Sequence, residues 1–446
     1  MNSVHARCLA VLTGVVGLVA VVVTTGRDAG AVLPPGNSVQ QWNAIAEDTV
    51  IGSGAFQIEG FIYMAYVSAA VYDAVTAIEG GYEPYATDIP APPGASTDAA
   101  VVEAAYRTLR NYFPAQGATL DALYAEALAP IADGQAKDDG KAVGLVAANG
   151  IIDLRADDGR MTPIGTTSSF PPKPPGPGVW RLTPPAFAAP QVPWTGSVTP
   201  FLLESGDQFL PHPPLSLESN RWVREFNEIK RYGAASGSAR TEEQTAIARF
   251  WTANVPRQYN RLVRDIADTP PGLDVLQTAR LAAMVNLVAA DAGIAVMNAK
   301  YHYLFWRPVT AINPTAVTND EFGPVPGFDD GNRATLEDAT WQPLVTTPNH
   351  PEYPSAHGSV TSAVAEVLSK FLKTSKVDLD IHGFDPAGPA GNLNAVRHFE
   401  RADDLRGEII DARLWGGLHY RSSTEVGLAL GRNIGRYDLR HAFKAR

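Results

Sequence analysis

The sequence predicts an all-α protein made of helical bundles and interrupted by one long proline-rich irregular segment. Apolar residues recur at helical spacing over long stretches, and no stretch shows the alternation expected of successive strands. Of the 35 prolines, 14 lie in residues 160–214. The 446 residues, 45% of them hydrophobic, suffice for one large or two ordinary domains. The net charge of −11 argues against a nucleic-acid partner, because binding to a phosphate backbone needs a basic surface.

Residues 1–31 are predicted to be a signal peptide. Arg7 precedes a long apolar core, and small residues at the end of the segment form a cleavage site. We therefore expect a secreted protein. The alternative is an uncleaved anchor, and only in that case do we expect attachment to a membrane. The single cysteine, Cys8, lies in this segment, so the rest of the chain has no thiol for a disulfide, a metal site or a nucleophile.

Residues 32–159 are predicted to form an N-terminal helical region. Its first strong pattern, at about 55–79, is apolar nearly all round, which indicates a buried helix. Ser96 offers an N-cap for the next helix. The further helices are expected at about 97–112, 117–132 and 136–154.

The proline-rich residues 160–214 are predicted to be a connecting segment without regular structure that wraps a surface or separates helical halves. Its aromatic residues offer packing anchors, and they are Trp180, Phe187, Trp194 and Phe201. Residues 215–446 are predicted to be a helical catalytic domain. Helices are expected there at about 216–232, 240–265 and 273–306.

The first segment with candidate chemistry carries two cations near the end of the 273–306 helix. Lys300 and Arg307 are seven residues apart, so two helical turns would place both on one face. The alternative is that cations in a last turn only complement the helix dipole. Aromatic residues surround them, which favours burial against an anion over exposure to solvent.

The second segment begins a helix. Pro354 blocks helix before it, and Ser355 can cap the apolar helical pattern that follows. Ser355, Ala356 and His357 thus place a hydroxyl, free backbone N–H groups and an imidazole in one first turn, which suits an anion and an acid or base. The alternative is a proline-rich turn that happens to hold a histidine.

The third segment contains a helix break. Gly416 and Gly417 interrupt a helical pattern after Arg413, and His419 lies in the break. Ser422 is predicted to start the next helix, with Glu425 at capping-box spacing. Together the three segments supply three cations, a hydroxyl, a backbone amide and two imidazoles, which are the groups that a compact tetrahedral oxyanion needs. His419 could instead be a core histidine.

These segments resemble the signature of the superfamily that joins vanadium-dependent haloperoxidases with type 2 phosphatidic acid phosphatases. That signature reads Lys-x6-Arg-Pro, then Pro-Ser-Gly-His, then Arg-x5-His, and the chain departs from it by Ala356 in place of glycine. The likeness is firm over about 290–435. It implies that vanadate is the cofactor, that His419 bonds vanadium and that His357 is the acid or base. The residues implied to hold the equatorial oxygens are Lys300, Arg307, Ser355, Ala356 (through its N–H) and Arg413.

The resemblance implies a peroxidase that uses hydrogen peroxide to oxidise a halide, with a small organic acceptor. His350 stands seven residues before His357, where the family's bromide-oxidising members tend to have histidine and its chloride-oxidising members phenylalanine. Bromide is therefore expected over chloride, although a loop histidine packed on Tyr353 is the alternative for this residue.

Three other functions stay open from the sequence. A secreted acid phosphatase would use His419 as nucleophile toward a phosphate monoester. A silent relative would bind anions without turnover, and a zinc hydrolase would have Glu352 as its only nearby carboxylate. Asp291 could either orient a basic side chain at the site or pair with another helix.

Overall fold

A computed structural model describes residues 32–162, 173, 176–315, 330–385 and 392–446. The predicted signal peptide lies outside these residues. The helices are α1 Ser38–Gly52, α2 Gln57–Glu79, α3 Thr97–Tyr112, α4 Gly117–Leu128, α5 Gln135–Leu154, α6 Asn220–Tyr232, α7 Glu242–Phe250, α8 Val255–Asp268, α9 Val275–Tyr303, α10 Pro308–Ile312, α11 Ala356–Phe371, α12 Ala402–Trp415 and α13 Arg421–His441. The strands are β1 Lys376–Asp385 and β2 Asn392–Arg401. The predicted all-α class is confirmed.

The long helix α9 is the axis of the fold. Its N-cap is Asp274, whose side chain accepts the Gln277 N–H, and the helix packs against α2, α1 and α8 as well as α11 and α13. Both α2 and α9 are long and apolar enough to cross a membrane by length and composition. However, 89% and 94% of their most apolar windows are buried in the protein, which is typical of core helices.

The helices α2 to α5 follow the predicted ranges to within a few residues, whereas α1 was not predicted. Ser96 caps α3 as expected, because its side chain accepts the Ala99 N–H. Glycine lets α5 approach α3 closely, since a Cβ at Gly144 would lie 2.3 Å from the Ala100 carbonyl oxygen. This region covers one side of α9 and brings the start of α2 to the site described below.

The described part of the proline-rich segment lies against α9 and has one short 3₁₀ turn, Pro193–Ser197. Three of its four aromatic anchors are buried, and Phe187 is partly exposed. Asp291 of α9 holds this segment, because its carboxylate accepts the backbone N–H groups of 201–203 at 2.6–3.1 Å. Asp291 therefore binds a loop, and no hydrogen bond to a basic side chain is seen among the described residues.

Two features of the fold differ from the sequence prediction. The helix expected at about 240–265 is broken into α7 and α8, because Asn254 caps a new helix with Pro256 in its first turn. The antiparallel hairpin β1–β2 was not predicted. Val377 and Ile381 alternate with polar residues in β1, and both are buried, so the period-2 signal was present but short.

Candidate active site

Lys300 and Arg307 reach the same site, but not as predicted from one helix face. The helix α9 ends at Tyr303, because Leu304 adopts a left-handed conformation with φ 51°. Arg307 instead precedes α10 as its N-cap residue, with Pro308 at the first helical position. Lys300 Nζ donates to the carbonyl oxygens of Pro351 and Glu352 at 2.8 and 2.9 Å.

Arg307 is fully buried and connects the three segments. Its Nε donates to the His350 carbonyl at 3.0 Å, and one terminal nitrogen donates to the Leu418 carbonyl at 3.0 Å. That same nitrogen lies 3.2 Å from His419 Nε2, and the other lies 3.0 Å from His350 Nδ1. Burial lowers the pKa of Arg307 to about 10.

The predicted start of α11 is confirmed. Ser355 is its N-cap and accepts the Gly358 N–H at 3.4 Å, so Ala356 and His357 lie in the first turn. The His357 ring hydrogen-bonds the backbone of Trp251, and its Nε2 has no partner among the described residues. Burial, and then the charges of Arg413 and the other cations, lower the pKa of His357 well below its ordinary value.

A glycine turn brings Arg413 and His419 together. Arg413 lies in the last turn of α12, and its guanidinium donates to the Trp251 carbonyl at 2.9 Å. Gly417 has φ +75°, and a Cβ there would lie 2.6 Å from the Gly233 carbonyl, so only glycine fits this turn. The chain then reverses, and the His419 ring lies within reach of Arg307.

The predicted capping box of the last helix is wrong. The helix α13 begins at Arg421, and Ser422 gives its N–H and hydroxyl to Glu225 at 2.9 and 2.6 Å. Glu425 pairs with Arg221. A carboxylate from α6 therefore satisfies this helix start, which no local pattern in α13 could indicate.

Glu352 is a site residue that the sequence analysis did not assign. One carboxylate oxygen lies 2.9 Å from His419 Nδ1 and accepts the Tyr420 N–H at 3.1 Å. The side chain is fully buried, and burial raises its pKa to about 7 against the opposing charges of Lys300 and Arg307. Its place three residues before Ser355 was the only signal available.

A cavity of about 50 Å³ lies at the centre of these residues. A water molecule needs about 10–15 Å³ by the same measure, so the cavity admits a group several times that size. Five of the eight predicted residues line it, namely His350, Ala356, His357, Arg413 and His419. The opposite wall is mostly apolar and consists of Phe56, Gln57, Ile58, Phe61, Val255, Pro348 and Val360. No sequence motif pointed to this wall.

The other three predicted residues adjoin the cavity without lining it. Arg307 contacts His350 and His419, which do line it, and Ser355 immediately precedes Ala356. Lys300 touches the site through the backbone carbonyls that accept its ammonium protons. Burial, and then the charge of Arg307, lower the pKa of Lys300 well below its ordinary value.

The site has an excess of buried positive charge. Among the described residues, no carboxylate forms an ion pair with Lys300, Arg307 or Arg413, and Glu352 pairs with His419 instead. Arg413 Nε and His357 Nε2 are buried without partners in this part of the chain. The unpaired Arg413 N–H donor and the buried cations around a small cavity fit a tetrahedral oxyanion, and the unpaired His357 nitrogen suits an acid or base beside it. No cluster of three metal-ligating side chains was found among the described residues, so a zinc site gains no support.

Comparison with known proteins identifies relatives of this site and fold. Residues 280–445 match a family model described as the VCPO second helical-bundle domain. Vanadium chloroperoxidase of Curvularia inaequalis is 26% identical over 292 residues, which cover 51% of this chain and 45% of that protein. The match therefore spans less than half the length of that relative.

Solved structures show the same fold. A bacterial vanadium-dependent iodoperoxidase superposes with a TM-score of 0.71 at 23% identity, covering 93% of this chain and 99% of that one. An apo-type bacterial vanadium-dependent chloroperoxidase superposes with a TM-score of 0.62 at 17% identity, covering 85% and 93%. With the family model and the Curvularia inaequalis relative, this shared fold confirms the resemblance to vanadium haloperoxidases drawn from the three segments.

Proposed function

We propose that this chain, whose residues 280–445 match the second helical-bundle domain of vanadium chloroperoxidase, is a vanadate-dependent haloperoxidase. One observation carries the proposal. Three cations that have no carboxylate partner among the described residues, Lys300, Arg307 and Arg413, lie at or beside one small cavity that is lined by two imidazoles of lowered pKa. The buried positive charges of the site repel one another, and a bound tetrahedral oxyanion offsets that repulsion.

The residues present suit vanadate. The two guanidinium groups of Arg307 and Arg413 can grip its oxygens in a fork, while Lys300, the Ser355 hydroxyl and the Ala356 N–H donate singly. The His419 Nε2 atom is directed at Arg307, which marks it as the nitrogen that would bond the metal. Vanadate, when bound, supplies a Lewis-acidic centre that activates hydrogen peroxide toward halide without a change of metal oxidation state.

His357 is placed to move a proton. Its lowered pKa keeps the ring neutral near pH 7, and its Nε2, which has no partner among the described residues, is the atom free to accept a proton from hydrogen peroxide. The bond from its ring to the Trp251 backbone fixes its orientation. The positive charges of the buried cations beside it disfavour the protonated form of the His357 ring. The ring can therefore return the proton when hypohalous acid forms.

Bromide is the proposed halide, in preference to chloride. His350 lines the cavity, and its ring lies edge-on to Phe56 with a centroid separation of 5.9 Å. A mostly apolar wall beside a cationic one favours a large, weakly hydrated halide over a small one, because less hydration energy is lost. The family pattern at the His350 position points the same way.

Two assays on the purified protein test the proposal. The first follows bromination of a phenolic acceptor by hydrogen peroxide and bromide, with and without orthovanadate. The second follows hydrolysis of an aryl phosphate. We expect bromination that depends on vanadate and is lost in a His419→Ala variant. Bromination that ignores vanadate refutes the proposal, and vanadate-inhibited phosphatase turnover establishes the acid phosphatase alternative.

A protein that binds vanadate with neither turnover would be the silent relative. Secretion is part of the proposal and rests on the N-terminal signal pattern. Expression of the full chain with a C-terminal tag, followed by mass spectrometry of secreted material, tests it. A mature N-terminus near residue 32 supports secretion, and an intact N-terminus in the membrane fraction supports the anchor.

A further inference from the structure

We propose that Glu352 is a positioning residue that fixes the tautomer and orientation of His419, so that Nε2 carries no proton and can bond an oxyanion at the site. The inference deepens the proposed function, because it assigns the group that prepares the metal-bonding imidazole. It applies equally if His419 is a phosphatase nucleophile. The Glu352 carboxylate acts on the bound group only through its contact with His419.

The contacts of the His419 ring determine where its proton lies. Arg307 can only donate hydrogen bonds, so Nε2, which lies 3.2 Å from its guanidinium, must be the acceptor. The ring proton of the neutral form therefore resides on Nδ1, which lies 2.9 Å from the Glu352 carboxylate. Two independent contacts, one on each ring nitrogen, require the same tautomer.

Glu352 is itself held firmly. Its backbone N–H donates to the Phe305 carbonyl at 2.9 Å, and its own carbonyl accepts from Lys300. The carboxylate oxygen that faces His419 also accepts the Tyr420 N–H at 3.1 Å. The backbone of Glu352 is thus held by the segment that carries Lys300 and Phe305, and its carboxylate cannot turn away without losing its contacts to both His419 and Tyr420.

A positioning role and simple charge repulsion predict opposite changes in oxyanion affinity when the Glu352 carboxylate is removed. A carboxylate beside His419 repels an incoming anion, so a purely electrostatic role means that its removal strengthens oxyanion binding. A positioning role means that removal weakens binding, because partners that orient a metal-bonding histidine are worth about 10–100-fold in affinity. The sign of the change therefore separates the two roles.

The first experiment measures the tautomer in the apo-protein. The full chain is labelled with ¹⁵N-histidine, and the ring nitrogens of His419 are assigned by the signals missing from a His419→Gln variant. We expect the protonated nitrogen of His419 to be Nδ1. Finding the proton on Nε2 in the unaltered protein overturns the proposal, whatever the activity of the enzyme.

The second experiment measures binding of orthovanadate and of inorganic phosphate to three variants by equilibrium dialysis. Glu352→Gln keeps an acceptor oxygen, so we expect it to retain the tautomer and to bind within about threefold of the unaltered protein. Glu352→Leu lacks the acceptor, so we expect mixed tautomers and binding weaker by about 10–100-fold. Unchanged or tighter binding in Glu352→Leu contradicts a positioning role.

Glu225→Leu is the matched control. Glu225 is a buried carboxylate that accepts from Ser422 at the same helix start but does not touch His419. We expect it to lower stability while leaving the tautomer unchanged. Equal losses of binding in the two leucine variants would show that Glu352 merely stabilises α13. None of these measurements needs catalytic turnover. A failure of the haloperoxidase proposal can therefore be distinguished from a failure of the positioning role of Glu352.

Discussion

Replacing Arg413 by methionine should stabilise the apo-protein while it weakens oxyanion binding. Arg413 is 3% exposed, and the one hydrogen bond that it makes among the described residues is to the Trp251 carbonyl. No carboxylate pairs with it among the described residues. The substitution therefore removes a buried charge whose partner is the absent anion, and methionine fills similar space without charge.

The magnitude follows from the pKa of Arg413, which burial and then Arg307 lower from its ordinary value to about 9. That difference corresponds to a cost of about 5 kcal/mol for keeping the guanidinium charged. The lowered pKa belongs to a base, so this cost is present in full below about pH 9 and disappears as the pH rises toward the ordinary pKa of arginine. Loss of the bond to Trp251 removes about 1.5–3 kcal/mol, which leaves a net gain of about 2–4 kcal/mol at neutral pH.

The effect on binding has the opposite sign. A hydrogen bond to a charged group is worth about 1.5–3 kcal/mol, so losing one donor should weaken orthovanadate binding by about 10–150-fold. Urea unfolding followed by tryptophan fluorescence gives the stability of the apo-protein. Equilibrium dialysis gives the affinity for orthovanadate.

Arg406→Met is the matched control on the same helix. Arg406 is buried too, but it is paired with Glu366 and Asp403 and bonded to Ser362. Its removal should destabilise the protein by about 3–5 kcal/mol and leave vanadate affinity unchanged. The reasoning is refuted if Arg413→Met destabilises the apo-protein as much as Arg406→Met does, or if it binds orthovanadate with unaltered affinity.

Three other predictions concern protons, halide and space. Binding of sulfate, which does not titrate near neutrality, should take up protons from solvent, because the pKa values of Lys300, His357 and His419 are lowered in the apo-protein and a bound dianion raises them. The affinity for sulfate should therefore fall as the pH rises. Calorimetry in buffers of different ionisation enthalpy measures the proton uptake, and proton release on binding would contradict the assignment. The substitution His350→Phe removes a contact to Arg307. It should lower the ratio of kcat/KM for bromide to kcat/KM for chloride, while the affinity for vanadate falls less than about tenfold. An unchanged ratio would show that His350 does not select the halide. The substitution Ala356→Gly removes a methyl group that lines the cavity, so vanadate should bind several-fold tighter, while the free energy of unfolding falls by about 0.5–1 kcal/mol. Weaker binding of vanadate would show that the methyl group helps to hold the anion.

The sequence predicted which residues come together where their placement depends on local pattern, and their chemical roles stay predictions. Ser355 was identified as a cap because a proline precedes it and an apolar helical pattern follows, and both effects act within a few residues. The cations and imidazoles were identified by spacing along the chain. All eight lie at or beside one cavity.

The sequence failed where long-range contacts decide the structure. Arg307 reaches the site because Leu304 ends α9 in a left-handed conformation, and leucine gives no local signal for that. Glu352 meets His419 across 67 residues, and part of the apolar wall comes from the start of α2, about 300 residues before His357. Such partners are set by tertiary packing, which periodicity does not encode.

The central claim is that three distant segments form one pocket for a tetrahedral oxyanion bonded to His419. A crystal structure of the protein grown with orthovanadate tests it most directly. We expect density for vanadium bonded to His419 Nε2, with oxygens within hydrogen-bond distance of Arg307, Arg413 and the Ser355 hydroxyl. Vanadate bound elsewhere, or His419 Nε2 still bonded to Arg307 at saturating vanadate, would contradict the account.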